Sequence, residues 1–423
     1  MKAILFSLGS RGDIEPFLAL GEILRDKNWE IICVFPEQFR EMVEKEGYSF
    51  YGFNKEFIEI LILSKKANLI TGGEGSLLKR IRTLSSLTKS VLNVNKEITN
   101  QQRDITNQEK PDYIFYNQKC IYPIIWGMKN QNRSILVNSF PCLFHKVKSH
   151  SIIGLKGGGD YGAFLNTLSY SIPNLVRSVV IHRTTKRFHK EFKGLKINPL
   201  KISNAILKKE KSFYTISPTL FPKPNDWHGK VNVVGYYERS KTKDWKPDNE
   251  LLDFIQTHKK IVFISFGSIS NPNPEEKTSI ILNILKKHKI PAIINTSWGG
   301  LIKPNEHPDH IHFVQNIPYD WIFPKVYAVV HHGGSGTTHT ALKFGCASLV
   351  IPHFIDQFFW NKTVAKLGAG PKGISIKKLN EKDFEFKLLD LLKNEGYKKK
   401  AKLIAVKMQN ESDKNKLYEM IIK

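Results

Sequence analysis

Cysteine is scarce in this chain, and long apolar runs are missing from it. The 423 residues contain four cysteines, which are Cys33, Cys120, Cys142 and Cys346. They form no CxxC pair or Cys/His cluster, so the sequence predicts neither a disulfide framework nor a structural zinc site and favours a reducing cytoplasm. No segment approaches the roughly 18 apolar residues that a membrane span needs. The short apolar run Ala3–Leu8 leads directly to Arg11 and Asp13, which predicts a buried strand rather than a signal peptide.

Acidic residues are few beside the basic ones. Lys and Arg number 64 against 39 Asp and Glu, which gives a formal charge of +25. Partners suited to such a surface are nucleic acid, an anionic membrane or a multiply charged small anion. Much of the lysine is dispersed among Asn and Ile, and a compositional bias explains it equally well. Basic clusters such as Lys398–Lys400 lack interleaved aromatic residues, so nucleic acid is disfavoured, whereas peripheral contact with an anionic membrane stays open.

Strand and helix patterns alternate twice along the chain. Every strand–helix–strand step predicts parallel strands joined by a right-handed crossover. The predicted strands are Lys2–Leu8, Glu30–Phe35, Tyr113–Tyr116, Ser134–Val137, Lys260–Phe266, Pro291–Asn295, His312–Val314 and Ala328–His331, and the predicted helices include Pro16–Lys27 and Glu275–His288. The pattern therefore predicts an α/β fold of two Rossmann-like, doubly wound parallel-sheet domains that face each other across a cleft.

The domain boundaries follow from composition. Residues 1–216 are predicted to form the first domain, residues 217–248 an interdomain linker rich in Pro, Trp, Lys and Asp, and residues 249–400 the second domain. Residues 401–423 are predicted to form a C-terminal helix that packs back on the first domain. Ligands of such sheets bind beyond the carboxyl ends of the strands, so the site is expected in the cleft. The apolar segment Phe57–Leu63 either packs as a core helix or lines a site for an apolar ligand.

The most informative motif is the glycine-rich segment His331–Thr338, which Asp356-Gln357 follows about twenty residues later. Its three glycines let backbone N–H groups approach an anion closely, and its Ser and Thr residues add hydroxyl donors. Apolar residues then recur at helical spacing, so the positive end of a helix points at the loop. The motif predicts a diphosphate site followed by a polar pair for a sugar; the alternative is an ordinary strand-to-helix turn.

Motifs along most of the chain resemble the family 1 glycosyltransferases that include the sterol 3-beta-glucosyltransferases and the enzymes that glycosylate glycopeptide antibiotics. The segments that carry the resemblance are Gly9–Pro16, Leu18–Gly21, Pro222–Trp227, Val233–Tyr237, Ile264–Ser268, Ser297–Gly300, His331–Thr338 and Asp356–Phe359. The resemblance implies the GT-B fold, with the donor held mainly by the C-terminal half and the acceptor by the N-terminal half. It also implies an inverting transfer that needs no metal or other cofactor beyond the UDP-sugar co-substrate.

The resemblance also implies roles for single residues. Asp13 takes the position of the general base, although an Asp just before Pro16 is equally typical of a helix N-cap. The positions that match donor-binding residues are Ser10, Arg11 and Gly12 beside the base, Gly267 and Ser268 at the phosphates, Trp298, Val314, Gln315 and Asn316 at the nucleobase, His332, Gly334, Ser335, Gly336 and Thr337 at the diphosphate, and Asp356 and Gln357 at the sugar. His332 and Trp298 have a purely structural alternative as buried side chains.

These assignments predict a UDP-sugar-dependent hexosyltransferase. It would be cytoplasmic, peripheral at a membrane surface, and would move glucose from UDP-glucose to a hydroxyl of a sterol or another lipid. One carboxylate that accepts the acceptor proton and one anion-binding helix start suffice for that chemistry. The segment Asn138–Cys142 departs from the aromatic-rich stretch usual in the sterol branch, so a polyketide, carotenoid or other natural-product acceptor is the alternative. A non-catalytic nucleotide-sugar-binding or membrane-binding protein is a further alternative.

Overall fold

The computed structural model describes residues 1–53, 77–153, 159–195, 197–239, 245–267, 271, 273–297 and 300–423, with the backbone alone for 77–92. The segment Phe57–Leu63 and two predicted donor residues, Ser268 and Trp298, lie outside the described residues. No helix in the described ranges is long and apolar enough to cross a membrane.

The first half of the chain forms a seven-stranded sheet in which every neighbouring pair is parallel. Its strands, in the spatial order β3-β2-β1-β4-β5-β6-β7, are β1 (Lys2–Phe6), β2 (Glu30–Pro36), β3 (Ser49–Phe53), β4 (Tyr113–Tyr116), β5 (Ser134–Asn138), β6 (Lys211–Tyr214) and β7 (Val231–Val233). Its helices are α1 (Arg11–Arg25), α2 (Arg40–Lys45), α3 (Leu77–Glu109), α4 (Tyr122–Lys129), α5 (Ala163–Ser169), α6 (Ser171–Thr185) and α7 (Pro199–Asn204). Alternate side chains of β1 enter two separate cores, with Ile4 and Phe6 on one face and Ala3 and Leu5 on the other. Both faces of the sheet are therefore covered, which is why β1 is a continuous apolar run.

The second half forms a five-stranded parallel sheet. Its strands, in the order β10-β9-β8-β11-β12, are β8 (Val262–Ser265), β9 (Ala292–Asn295), β10 (Ile311–Val314), β11 (Ala328–His331) and β12 (Ala347–Val350). The helices are α8 (Asn249–Thr257), α9 (Pro274–Lys287), α10 (Tyr319–Ile322), α11 (Ser335–Lys343), α12 (Gln357–Lys366), α13 (Glu381–Lys393), α14 (Glu395–Gln409) and α15 (Lys414–Ile422).

Both sheets reverse their strand order at one point. The chain runs from β1 outward to β3 and then returns to place β4 beside β1; it repeats this path with β8, β10 and β11. In open parallel sheets the crevice at such a reversal, beyond the carboxyl ends of the two strands, is where ligands bind. The fold therefore singles out four loops, those after β1, β4, β8 and β11.

The eight predicted strands are all present, and the doubly wound α/β prediction is confirmed. The predicted start of the first helix was wrong. We expected Pro16 at the first helical position, but α1 begins at Arg11 with Ser10 as N-cap and includes Pro16. Asp13 falls in the first turn, where a carboxylate stabilises the helix, and this fixes the earlier start.

The two halves are connected by the segment 217–248, by the packing of the C-terminal helix on the first half, and by a shared apolar cluster. The segment 217–248, predicted to be a linker, contributes β7 to the first sheet. Helix α15 lies on the first half, where Leu417 and Ile421 enter its core and the Lys211 Nζ donates to the Ile421 carbonyl oxygen at 2.8 Å. A shared apolar cluster at the junction includes Tyr214 and Trp360.

Candidate active site

Loops from both sheets meet across the junction. Tyr236, just after β7, donates from its hydroxyl to the Gly336 carbonyl oxygen of α11 at 3.2 Å. Burial raises the pKa of the Tyr319 phenol in the second half, and the nearby Arg11 guanidinium of the first half acts in the opposite direction. The Tyr236 hydrogen bond therefore places the loop after β7 against the start of α11, across the junction of the two halves.

The loop after β1 presents Asp13 with both carboxylate oxygens engaged. The Ser10 backbone N–H donates to Oδ2 at 2.8 Å and the Ser10 hydroxyl lies 3.2 Å from the same oxygen. The Lys119 Nζ donates to Oδ1 at 3.0 Å, and the Asp13 side chain is 16% exposed. Asp13 is thus a first-turn acceptor at the helix start, and Oδ1, which accepts from Lys119 alone, retains a lone pair for a substrate hydroxyl.

Lys119 was not predicted from the sequence. It follows β4, so it reaches Asp13 from the second of the two loops at the reversal of the first sheet. Gly9 makes room for the pair, because it has a φ of +138° and a Cβ there would lie 2.1 Å from Asp13 Oδ2 and 2.4 Å from Lys119 Nζ. Only the strand order brings residues 13 and 119 together, and no local sequence signal reports that pairing.

A buried amide holds these two loops in place. The Asn117 Nδ2 donates to the Ser7 hydroxyl at 2.9 Å and to the Leu8 carbonyl oxygen at 2.8 Å. The Ser7 hydroxyl in turn donates to the Asp13 carbonyl oxygen at 2.8 Å, and the Lys119 backbone N–H donates to Asn117 Oδ1 at 3.1 Å. The positions of Asp13 and Lys119 are therefore fixed by hydrogen bonds to the carboxyl ends of β1 and β4.

The loop after β11 has the opposite character. Helix α11 begins at Ser335 with Gly334 as N-cap; no side chain of the described residues caps it, and its first turn holds no acidic residue. The first backbone N–H groups, those of Ser335, Gly336 and Thr337, therefore point out of the helix start with its positive potential. The arrangement is suited to an anion.

His332 lies beside this helix start. Its ring lies close to two glycines. A Cβ added at Gly267 would lie 2.8 Å from the ring Cε1, and a Cβ added at Gly334 would lie 2.4 Å from the ring Nε2. Gly267 also has a φ of +63°, which other residues rarely adopt. The glycines predicted to contact phosphate therefore also make space for the imidazole.

The His332 imidazole is neutral. Burial, and next His331 and His353, lower its pKa to about 3. Its Nδ1 is buried and has no hydrogen-bond partner among the described residues. A buried polar atom without a partner is costly. Among the described residues, the Ser265 backbone is the one neighbour that acts to raise the pKa of this imidazole, and Nε2 is the ring nitrogen that lies nearest Gly334 and the helix start. His339, by contrast, is fully used, since Nδ1–H donates to the Ser335 carbonyl oxygen at 2.7 Å and Nε2 accepts from the Ser217 N–H at 3.0 Å.

The other predicted donor residues lie at the same edge of the sheet. Val314 ends β10, followed by the exposed Gln315 and Asn316, and Gly267 follows β8. Asp356 caps α12. The Gln357 amide oxygen accepts from the His353 and Phe354 backbone N–H groups at 2.7 and 3.2 Å, so this side chain shapes its own loop.

A charged connection couples the two loops. The Glu238 carboxylate accepts from the Thr340 hydroxyl and, at 2.9 Å, from the Lys343 Nζ, both on α11. The adjacent Arg239 donates to Glu15 of α1 at 2.9 Å and also to Glu46. Two consecutive residues thus link the helix that carries Asp13 to the helix beside His332, and the sequence analysis missed both.

One polar side chain stands out on the first sheet. Asn138 ends β5 at the carboxyl edge, is 1% exposed, and neither its Nδ2 nor its Oδ1 has a partner in the described part of the chain. The described residues contain no group of three or more His, Cys, Asp or Glu side chains placed to hold a metal ion.

Sequence models of two families match the two ends of the chain. The glycosyltransferase family 28 N-terminal domain matches residues 3–113, and the erythromycin biosynthesis protein CIII-like C-terminal domain matches residues 293–419. The sterol 3-beta-glucosyltransferase UGT80A2 of Arabidopsis thaliana is 28% identical over 97% of this chain and 63% of that protein. A sterol 3-beta-glucosyltransferase of Saccharomyces cerevisiae (strain YJM789) is 27% identical over 96% of this chain and 34% of that protein. The chain thus spans less than two thirds of either relative.

Solved structures confirm the fold. The glycosyltransferase of kitacinnamycin superposes with a TM-score of 0.69 at 14% identity and covers 99% of this chain and 98% of its own. The spinosyn rhamnosyltransferase SpnG, complexed with thymidine diphosphate, superposes with a TM-score of 0.66 at 14% identity and covers 100% of both chains. The two facing parallel sheets are therefore those of the GT-B fold.

Proposed function

From the GT-B fold and the similarity to the sterol 3-beta-glucosyltransferases, we propose that the chain is an inverting, UDP-sugar-dependent hexosyltransferase. It moves glucose from UDP-glucose to a hydroxyl of a sterol or another hydrophobic lipid. It acts in the cytoplasm at a membrane surface. The four cysteines are all unpaired and buried, which supports a reducing compartment.

One observation carries the proposal. The start of α11 lacks an acidic or capping side chain in the described residues, and beside it the buried Nδ1 of His332 has no partner. A leaving nucleoside diphosphate gains negative charge, and preorganised donors placed at that charge are the largest contribution that such a site makes to catalysis. A helix start and a neutral imidazole supply that stabilisation, so we propose that no metal ion is needed.

Asp13 is the proposed base for the acceptor hydroxyl. An alcohol is too weak an acid to ionise beforehand, so its proton must leave as the glycosidic bond forms. The Lys119 cation and the Ser10 N–H hold the carboxylate in one orientation, and the remaining lone pair of Oδ1 accepts the proton. Lys119 is a positioning residue, because it acts through Asp13.

The test is a donor panel followed by a transfer assay. We expect UDP-glucose at 100 times its Kd to stabilise the protein by about 2.7 kcal/mol, and GDP- and dTDP-sugars to give smaller shifts. Incubation with UDP-glucose and sterol-containing vesicles should then yield a steryl glucoside by mass spectrometry, with equal yield in EDTA. Strict dependence on a divalent ion, or donor binding without any transfer or hydrolysis, would contradict the proposal.

A natural-product acceptor is the second candidate. Asn138 begins the Asn138–Cys142 segment that lacks the aromatic-rich sequence of the sterol branch, and its buried amide has no partner in the described chain. A planar polyphenol or macrolide with several hydroxyls fits an unpaired amide better than a sterol with one. Transfer to such acceptors but not to sterols, in the same assay, would decide for this candidate.

A further inference from the structure

Helices α5 and α6 carry large apolar side chains on their solvent side. We define the apolar ridge as Phe164, Leu165, Leu168, Ile172, Leu175 and Val176. Each is at least half exposed; Phe164 reaches 78% and Ile172 70%. Exposed apolar patches of this kind on a folded protein mark interaction surfaces.

The inner face of the same helices is mostly polar, which is the reverse of a normal surface helix. Its buried residues are Asn166, Asn174, Ser178, Thr184 and Thr185, together with the apolar Ile181, which packs in the core of the first half. A helix that stays in water normally turns its apolar stripe to the core. This inverted distribution indicates that the outer face meets an apolar medium.

Hydrogen bonds fix the orientation of both helices. Asn166 Nδ2 donates to the Lys148 carbonyl oxygen at 2.7 Å, and Asn174 Nδ2 donates to the Phe144 carbonyl oxygen at 2.9 Å. The buried Tyr170, which separates the helices, donates from its hydroxyl to the His150 carbonyl oxygen at 2.9 Å. Neither helix can roll to hide its apolar face without breaking these bonds.

The charged residues in and after α6 indicate which apolar medium contacts the apolar ridge. Residues 160–191 contain five Lys and Arg residues and two acidic residues, Asp160 and Glu191, one at each end of the segment. Glu191 is paired with Arg103 at 3.3 Å. Arg183, Lys186 and Arg187 are exposed and lie eleven residues after Ile172, Leu175 and Val176, respectively. Eleven residues are about three helical turns, so Arg183 lies on the same face of α6 as Ile172. Lys186 and Arg187 follow at once in the 3-10 turn Lys186–Phe192, so a basic segment adjoins the end of the apolar face.

From this geometry we propose that the apolar ridge inserts into the surface of an anionic lipid bilayer while the basic end of α6 binds the headgroups. Interfacial helices combine an apolar face with Lys and Arg in this way. A bilayer satisfies both ends of the face, whereas a second copy of this basic chain would bring like charges together. Docking of this surface is independent of glycosyl transfer, so vesicle binding is measurable without donor or acceptor.

Vesicle flotation tests the proposal. We expect the full-length protein to bind phosphatidylcholine vesicles that contain phosphatidylglycerol, and to bind neutral phosphatidylcholine at least ~10-fold more weakly. The ridge variant Ile172→Ser/Leu175→Ser/Val176→Ser should lose at least ~10-fold in partitioning. The matched control Phe386→Ser/Leu403→Ser/Val406→Ser removes three exposed apolar side chains from the second half and should bind normally. Equal loss in both variants, or none in the ridge variant, would overturn the proposal.

A second measurement does not depend on the folding of the triple variant. All four native cysteines are buried, so an environment-sensitive dye can be attached selectively to Ile172→Cys or, as control, to Leu403→Cys. Anionic vesicles should shift the emission of the first dye to the blue and leave the second unchanged. No shift at position 172, or light scattering that shows a dimer which the ridge variant dissolves, would assign the ridge to another role.

Discussion

Helices α1 and α11 both begin beyond the cleft end of a sheet, but their starts are electrically opposite. At α1 the protein supplies its own anion, since the Asp13 carboxylate sits in the first turn and is paired with Lys119. At α11 the first turn of the described chain holds no acidic residue. The neutral imidazole of His332 lies beside it, and its Nδ1 has no hydrogen-bond partner among the described residues. The comparison teaches that the same local fold serves two tasks: a filled helix start holds a carboxylate in place, and an empty one accepts a ligand anion.

Asp13→Asn removes the carboxylate at the start of α1 and should have the largest effect on kcat. The amide still accepts from the Ser10 N–H, so the cap and the fold remain, but it cannot take a proton. We expect kcat to fall by roughly 10²–10⁴-fold while the Kd of UDP-glucose stays constant, measured by steady-state kinetics and calorimetry.

Ser10→Ala is the control for Asp13→Asn, because it removes one contact of Asp13 and leaves the carboxylate. If Asp13→Asn keeps near-normal turnover, or loses stability in proportion to its activity, Asp13 is only a helix cap.

His332→Ala removes the imidazole beside the start of α11, and we expect a loss of about 10- to 100-fold in kcat/KM. A hydrogen bond to a charged group contributes roughly 1.5–3 kcal/mol, which corresponds to that range. Gly334→Ala should cause a similar loss, since its Cβ would lie 2.4 Å from the imidazole Nε2.

The double variant Gly334→Ala/His332→Ala provides the control for these two single changes. Because the clash disappears with the ring, the two losses should not add. Additive losses would show that Gly334 contributes without the imidazole, and full activity of His332→Ala would remove this histidine from the site.

Lys119→Met tests the difference between the two helix starts, because it removes a cation that is present at the start of α1 and pairs with Asp13 there. Without its partner the Asp13 carboxylate is less well oriented, so we expect kcat to fall by about 10-fold with an unchanged donor KM. Lys119→Arg should retain most of the activity, because it keeps the charge. A rise in donor KM at constant kcat would place Lys119 at the donor instead of Asp13.

Acid should affect the histidine-rich second half most. Burial, as the first cause, lowers the pKa of His331 and His332 to about 3 and of His339 and His353 to about 4. The unfolded histidines take up protons below about 6.5 and the folded ones do not, so stability is lost as pH falls from about 6.5 towards 3.

His331→Gln tests this dependence. It should reduce the slope of unfolding free energy against pH by at most about 1.4 kcal/mol per pH unit. Denaturant titrations at several pH values measure that slope. An unchanged slope would mean that His331 titrates alike in both states.

The sequence predicted those parts of the fold that depend on local pattern. Continuous apolar strands such as β1 and β11, and the glycine-rich start of α11, could be identified because each is complete within about ten residues. The Asp13–Lys119 pair could not, because it depends on the strand order that places β4 beside β1. Strands β3, β6, β7 and β12 were missed. For β7 the reason is that its three residues form an edge strand inside a segment with the composition of a linker.

The apolar ridge of α6 was missed for a different reason. Periodicity detects an amphipathic helix but does not report which face is turned inward, and the usual assumption would bury Ile172 and expose Ser178. Hydrogen bonds from Asn166 and Asn174 to distant carbonyl oxygens reverse that assumption. The glycines beside His332 were assigned to phosphate alone, because the space that an imidazole needs is visible only in three dimensions.

The position of α15 has a consequence for biosynthesis. Leu417 and Ile421 complete the core of the first half, although they are made after the whole of the second half. During translation the first sheet must therefore wait with part of one face uncovered until residues 414–422 have left the ribosome. Domains usually fold in order of synthesis. Here the core of the first half is completed last, although that half is made first. We therefore expect the surface that Leu417 and Ile421 cover to be exposed to chaperones during every round of synthesis.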